Sequence, residues 1–313
     1  MPALPLAHGA AHGQARQQGR HPILELLELP GVPGDAGVTG TMLSNRWTIG
    51  QLKLAFHLYC RLSFGQLHQG NPEVVELAGL IGRTPAAVAM KLCNFASLDP
   101  AIVASGRKGL AGASRLDRQV WELFQADWEG LAVECAQLRQ ALRAERGLPL
   151  EEADEAVDIP EDFTGATRQV LIEQRVKQQF FRRAVLGSYA GRCCMSGLAE
   201  PGLLIASHIV PWRQDPANRL NPANGLCLSA LHDRAFDQGL LSLDDDYRIL
   251  LAEPLRRNAD PFVCEVLQPL AGRPIRLPER FRPEARFVAW HRQHVFVDSG
   301  GSSSAAAGTG DFV

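Results

Sequence analysis

Residues 193–246, CCMSGLAEPGLLIASHIVPWRQDPANRLNPANGLCLSALHDRAFDQGLLSLDDD, gather histidines, carboxylates and amides in a segment too irregular to be plain core. An apolar run, Leu203 to Ala206, ends on Ser207-His208-Ile209-Val210-Pro211, and an amide-rich loop follows from Asn218 to Asn224-Gly225. Beyond it, Leu228, Leu231, Ala235 and Phe236 recur at helical spacing. This predicts a short helix carrying His232, Asp233 and Asp237, ended by Gly239. The Asp244-Asp245-Asp246 run reads as a turn before a strand at residues 247–251.

Upstream, Arg168, Arg175, Lys177, Arg182, Arg183 and Arg192 lie along a helical stretch whose apolar face includes Val170, Leu171, Val176, Phe180, Phe181 and Val185. A solvated face is one reading. Contact of Arg182 and Arg183 with a phosphodiester backbone is the other. Before it, EEADEAVDIPED at residues 151–162 is acidic and nearly devoid of apolar side chains, which marks a linker over residues 146–167.

Residues 45–145 read as a helical domain. Ile49, Leu52, Ala55, Phe56, Tyr59 and Leu62 define a first helix with Thr48 as its cap. A second starts at Pro72 under Asn71, with Val74, Leu77, Ala78 and Ile81 inward. Gly82-Arg83-Thr84-Pro85 then ends one helix and caps the next, which runs to about Phe95. That layout fits a helix-turn-helix in which Arg83, Thr84, Lys91 and Asn94 face phosphates or base edges; it equally fits an αα-hairpin that only packs. Residues 101–114 read as a loop with a basic tip at Arg107-Lys108. A third helical block follows over residues 116–145, with Val120, Trp121, Phe124, Trp128 and Leu131 as core.

Residues 1–44 and 299–313 read as disordered tails, and Met42 as the true start of translation. Prolines and short apolar pieces follow residue 251, closing on Phe287, Val288, Trp290, His291, His294 and Phe296, a helix for packing on the second domain. No run of eighteen uncharged apolar residues points to a membrane span. Seven scattered cysteines and the absence of a secretory signal pattern point to the cytoplasm. A net charge of −2 confines any nucleic-acid surface to a local patch.

From about residue 180 to 239 the chain resembles the HNH nuclease family, of the ββα-metal fold, and more narrowly its bacterial members of restriction-endonuclease type. The resemblance rests on Arg192-Cys193, Ser196-Gly197-Leu198, the segment from Ala206 to Trp212, Asn224 to Ser229, and Leu231 to Leu240. The helical region resembles the N-terminal part of such proteins at Gly82-Arg83-Thr84-Pro85 and from Lys91 to Leu98. The overall expectation is an α+β chain: a mainly helical N-terminal domain, then an HNH domain over residues 168–298.

The resemblance implies a metal-dependent endonuclease that hydrolyses DNA phosphodiester bonds in a restriction or defence role. His208 takes the place of the general base and Asn224 that of the bracing asparagine. In zinc-stapled members, two Cys-x-x-Cys pairs bracket the motif; the corresponding positions here are Cys193, Ser196, Ser229 and His232, so a structural Zn²⁺ is not expected. By the same count Asp233 stands at the metal-binding histidine, with Asp237 one turn later, a pair suited to Mg²⁺ or Mn²⁺. His232 stays open as a competing ligand or a leaving-group acid. Ser207 stands where many members carry a metal-binding Asp or His. That loss motivates a rival reading, a DNA-binding or scaffold protein that keeps the fold and cleaves weakly. The expected partner is DNA, with no membrane; a homodimer stays open.

Overall fold

The computed structural model describes residues 46–106, 112–149 and 166–298. The expectations for both tails, for Met42, for most of the acidic linker and for the Arg107-Lys108 tip lie outside them. No described helix is long and apolar enough to cross a membrane.

The first half is helical. Helix α1 (Ile49–Arg61) opens on a capping box between Thr48 and Gln51, α2 (Pro72–Ile81) on the Asn71 side chain, and α3 (Pro85–Ala96) on Thr84. Each cap satisfies an amide that the first turn leaves without an intrahelical partner. Between α2 and α3, Gly82 takes φ 67°, a left-handed conformation that side chains avoid.

Two boundaries depart from the sequence reading. Residues 101–104, expected as the start of a loop, belong to a short helix α4 (Pro100–Ala104), because Asp99 accepts from the Ala101 amide and Pro100 occupies the first helical position. The block expected as one helix to residue 145 divides into α5 (Arg115–Ala126) and α6 (Trp128–Glu145). Asp127 leaves the helical conformation there (φ −149°, ψ 82°) and serves as the end of one helix and the cap of the next.

Helix α1 is buried on more faces than its spacing announced: Leu54, His57, Leu58 and Cys60 join the expected face. It lies at the centre, with α2, α3, α5, α6 and α7 (Ala166–Ser188) all packed on it. Around Phe56 sit Phe124 at 4.6 Å, Phe95 at 5.0 Å and Trp121 at 5.4 Å between ring centroids.

In the second half, β1 (Leu204–His208) pairs antiparallel with β2 (Gly225–Ser229), so that His208 faces Gly225 across the ladder and Leu204 faces Ser229. Helix α8 (Ala230–Asp237) follows at once, completing a ββα unit. A smaller pair, β3 (Leu241–Leu243) with β4 (Ile249–Leu251), comes next. The aspartate run between them is a turn: Asp244 Oδ1 accepts from the amides of Asp246 and Arg248 at 2.9 and 2.8 Å. A one-turn α9 (Glu253–Arg256) and a closing α10 (Ala285–His294) finish the described chain.

The two halves share packing. On α7, Phe180 stacks on His57 at 5.0 Å, while Phe181 and Val185 lie where a side chain at residue 225 would collide with them, so Gly225 permits the close approach of α7 to the hairpin. Arg280, fully buried, donates to the Tyr59 and Cys60 carbonyls near the end of α1, with its guanidinium 4.7 Å from the Tyr59 ring centre. Phe281 lies 5.7 Å from Trp128.

Candidate active site

Strand residues alternate between faces, and β1 ends by sending Ser207 one way and His208 the other. His208 shares the α7 face with Gly225. Its ring stacks on Phe181 at 3.8 Å with planes 6° apart, and Trp212 meets it edge-on at 5.6 Å. The Nε2 atom lies 2.8 Å from the Arg219 carbonyl. A carbonyl only accepts, so Nε2 carries the hydrogen and the Nδ1 lone pair stays open. Burial holds the His208 pKa below its ordinary value, only partly offset by the Arg219 carbonyl. The ring is therefore a neutral base near pH 7.

The loop that supplies this carbonyl is fixed by Asn224, fully buried one residue before β2. Its Oδ1 accepts from the Val210 amide at 2.8 Å; its Nδ2 donates to the Val210 carbonyl at 3.1 Å and to the Asn218 carbonyl at 3.3 Å. The Ile209 amide donates to the Asn224 backbone carbonyl at 2.9 Å. One amide side chain thus ties the segment leaving His208 to the loop that returns past Arg219. Asn221 extends the network to Asn218 and Glu284.

On the α8 face, Ser207 is buried with its hydroxyl beside Asp233. The hydroxyl is close enough to favour the carboxylate, yet outside hydrogen-bonding geometry and without a partner among the described residues. Asp233 is half-buried, and desolvation raises its pKa. Asp237, one turn later, is pushed up to about 6, first by desolvation of its carboxyl and then by the charge of Asp233. As a residue Asp237 is exposed, so this shift carries no matching stability. Two carboxylates a helical turn apart, one raising the proton affinity of the other, with an unpartnered hydroxyl beneath, are oxygen donors fit for a hard divalent cation with positions left for water and phosphate. Among the described residues no cluster of three or more His, Cys, Asp or Glu forms a full metal cage.

His232 does not join this group. It is buried at the other end of the ladder, where Ser229 pairs with Leu204. Its Nδ1 lies 2.8 Å from Ser229 Oγ and 3.4 Å from Cys193 Sγ, and its Nε2 is enclosed without a partner among the described residues. A leaving-group acid must reach the leaving oxygen, and this ring is sealed from solvent; the expectation of an acid or metal-ligand role is corrected accordingly. The staple positions do converge, since Cys193 Sγ also accepts from the Ser196 amide at 3.5 Å. They are joined by hydrogen bonds, with two zinc-type ligands where a structural site needs four. The hydrogen bonds outweigh desolvation and lower the Cys193 thiol to about 6. His291, read as a packing histidine, is one: it stacks on Phe236 at 3.7 Å, with Nδ1 2.9 Å from Ser242 Oγ.

The residues expected to meet DNA are largely engaged within the fold. Arg83 donates to Gln51 and to the Arg46 carbonyl and lies over Trp47; Thr84 caps α3. Lys91 pairs with the fully buried Asp117 at 2.9 Å, and Asn94 is itself buried, so neither faces a duplex, which corrects the groove-facing expectation for those two. Arg182 donates to the Leu204 carbonyl at 2.8 Å and so holds β1. Arg183 lines a groove on the opposite face of α7. Sequence reasoning missed Arg219, because its backbone carbonyl does the work, and missed that Phe181 stacks on His208, because it read that phenylalanine only as core.

A two-strand hairpin with a histidine at its end, an asparagine pinning the return loop and carboxylates on the following helix defines a phosphodiesterase-type ββα unit. Residues 193–244 match the family described as HNH endonuclease, and this segment belongs to the HNH nuclease family. No curated protein shows significant similarity to the chain.

Proposed function

We propose that the chain is a metal-dependent endonuclease that hydrolyses DNA phosphodiester bonds, in a restriction or defence setting within the cytoplasm. The observation that carries this reading is the His208 tautomer: Nε2–H donated to the Arg219 carbonyl, Nδ1 open, the ring kept neutral by burial. At Nδ1, His208 takes the proton from the attacking water. Asn224 holds the loop so that the ring cannot rotate away from that task. Asp233 and Asp237 would hold the divalent ion, Mg²⁺ or Mn²⁺, which when bound neutralises charge on the scissile phosphate. The base and the carboxylates lie on opposite faces of the hairpin, so the phosphate bridges them past the end of β1 rather than lying on either face.

Supercoiled plasmid incubated with the protein and Mg²⁺ or Mn²⁺ is expected to be nicked, and His208→Ala to remove the nicking. Nicking that persists in His208→Ala overturns the assignment. The missing carboxylate at Ser207 and the two-carboxylate donor set favour one second reading, a DNA-binding protein with weak cleavage. DNA retention without turnover in Mg²⁺, Mn²⁺, Ni²⁺ and Zn²⁺ selects it.

A further inference from the structure

The residue that offers its carbonyl to His208 also presents a side chain beside it. The Arg219 Nε donates to the Trp212 carbonyl at 2.8 Å, and the guanidinium lies 5.5 Å from the centre of the Trp212 ring. Trp212 in turn meets the His208 ring edge-on at 5.6 Å. One tryptophan therefore bridges the guanidinium to the base.

The backbone under this side chain is anchored. The carbonyl of the preceding residue, Asn218, accepts from Asn224 Nδ2 and from the Asn221 amide, each at 3.3 Å, and Asn218 Nδ2 donates to Asp215 at 2.7 Å. His208 Nε2 holds the Arg219 carbonyl itself at 2.8 Å. A side chain tied at Nε on so fixed a backbone loses little freedom on meeting a ligand.

What Arg219 lacks is an anion. The acceptor at Nε is a neutral carbonyl, and the carboxylates of this loop network have other partners: Asp215 bonds to Asn218, and Glu284 to Asn221 and Arg286. Among the described residues the two terminal nitrogens of Arg219 have no acceptor, and they are not enclosed, so they reach the surface. Arg182 shows the structural alternative in the same fold: both of its terminal nitrogens go to carbonyls, of Leu204 and Pro201, and clamp β1. Arg219 instead keeps its planar fork open, on an aromatic face that orients the charge without neutralising it. Such a fork matches two oxygens of one phosphate.

We propose that the Arg219 side chain is a substrate-contacting residue, its terminal nitrogens gripping a backbone phosphate of the DNA strand under attack while its carbonyl fixes the His208 tautomer. The proposal rests on DNA being the substrate of the hairpin site. It joins two tasks in one residue, ring orientation through the backbone and substrate grip through the side chain.

Arg219→Gln separates the two, since it removes the charge and the fork and keeps the carbonyl. The measurements are plasmid nicking in Mg²⁺ or Mn²⁺ over a range of DNA concentrations and pH, and titration of a fluorescent twenty-base-pair duplex in EDTA over a range of salt. In Arg219→Gln, kcat/KM is expected to fall about ten- to a hundredfold, mainly through KM, with the pH profile in place. Duplex affinity should fall about tenfold, and the slope of log affinity against log salt by about one. Arg219→Lys, a point charge without the fork, should recover only part. Arg257→Gln, which removes an exposed arginine paired with Glu253, should change neither measurement. Two results overturn the proposal: an Arg219→Gln protein that binds and nicks as the parent does, or one whose losses come with a displaced pH profile and an unchanged salt slope, which marks a loop staple. If Arg219→Gln is unaffected while His208→Ala abolishes nicking, the endonuclease reading stands and this proposal alone falls. If the parent binds the duplex and never nicks, that reading falls and the salt titration alone decides Arg219; a parent that neither binds nor nicks DNA overturns both.

Discussion

The hairpin and the helix that follows it place two histidines at opposite ends of the β1–β2 ladder, and they are held for different ends. His208, beside Gly225, has one nitrogen fixed by a backbone carbonyl and the other open. His232, beyond the Ser229–Leu204 pair, has one nitrogen against a hydroxyl and a thiol and the other enclosed. The first arrangement spares a lone pair for a substrate. The second consumes its ring in joining α8 to the turn at Cys193, the task a zinc ion performs where four ligands are present. Histidine in a nuclease motif is thus not a role; the partner of its second nitrogen decides the role.

The contrast breaks most visibly at the base. His208→Ala is expected to lower the cleavage rate by about 10²- to 10⁴-fold with a change in stability within about 1 kcal/mol, measured by nicking kinetics beside urea unfolding. His232→Ala should do the reverse, costing about 2 kcal/mol of stability by opening a buried cavity while the rate per folded molecule stays within about threefold. If His232→Ala matches His208→Ala in rate, the distinction fails.

Asn224→Ala lies between the two. It strands the buried amide and carbonyl of Val210, at a cost of about 3 kcal/mol, and loosens the loop that orients His208, so both stability and rate should fall. Denaturant midpoints and single-turnover nicking measure the two separately.

Acid tests the buried rings together. Burial leads the lowering of His57, His208 and His291, the last to about 4 from 6.5. The unfolded chain takes protons near pH 6.5 and the folded chain does not, so this stability is complete above pH 6.5 and is lost as pH falls through the window below it. For His291 the loss between pH 6.5 and 4 amounts to about 3 kcal/mol, and His291→Gln should flatten that part of the urea-midpoint profile. The smallest effect belongs to the staple corner: metal analysis of protein purified without chelator is expected to return no stoichiometric zinc, and Cys193→Ser to cost about 1 kcal/mol.

Much of this was legible from local chemistry. Helix starts at Thr48, Asn71 and Thr84 follow from side chains that accept their own first-turn amides, which needs no distant partner. The break at Asp127 was missed because periodic apolar residues run through it, although the Asp127 carboxylate accepts the Gly130 amide at 2.8 Å as a local cap.

The sequence by itself determined the short helix and the spacing of Asp233 and Asp237 one turn apart, because spacing along a helix sets which side chains share a face, while the ββα segment with His208 and Asn224 was expected from the resemblance to HNH nucleases. Only the tertiary structure decided which ring nitrogen is open, that His232 is sealed and that Lys91 answers to Asp117. Those outcomes rest on partners 11 to 39 residues apart in the chain, and hydrogen bonds and burial at such distances leave no periodic trace in the sequence.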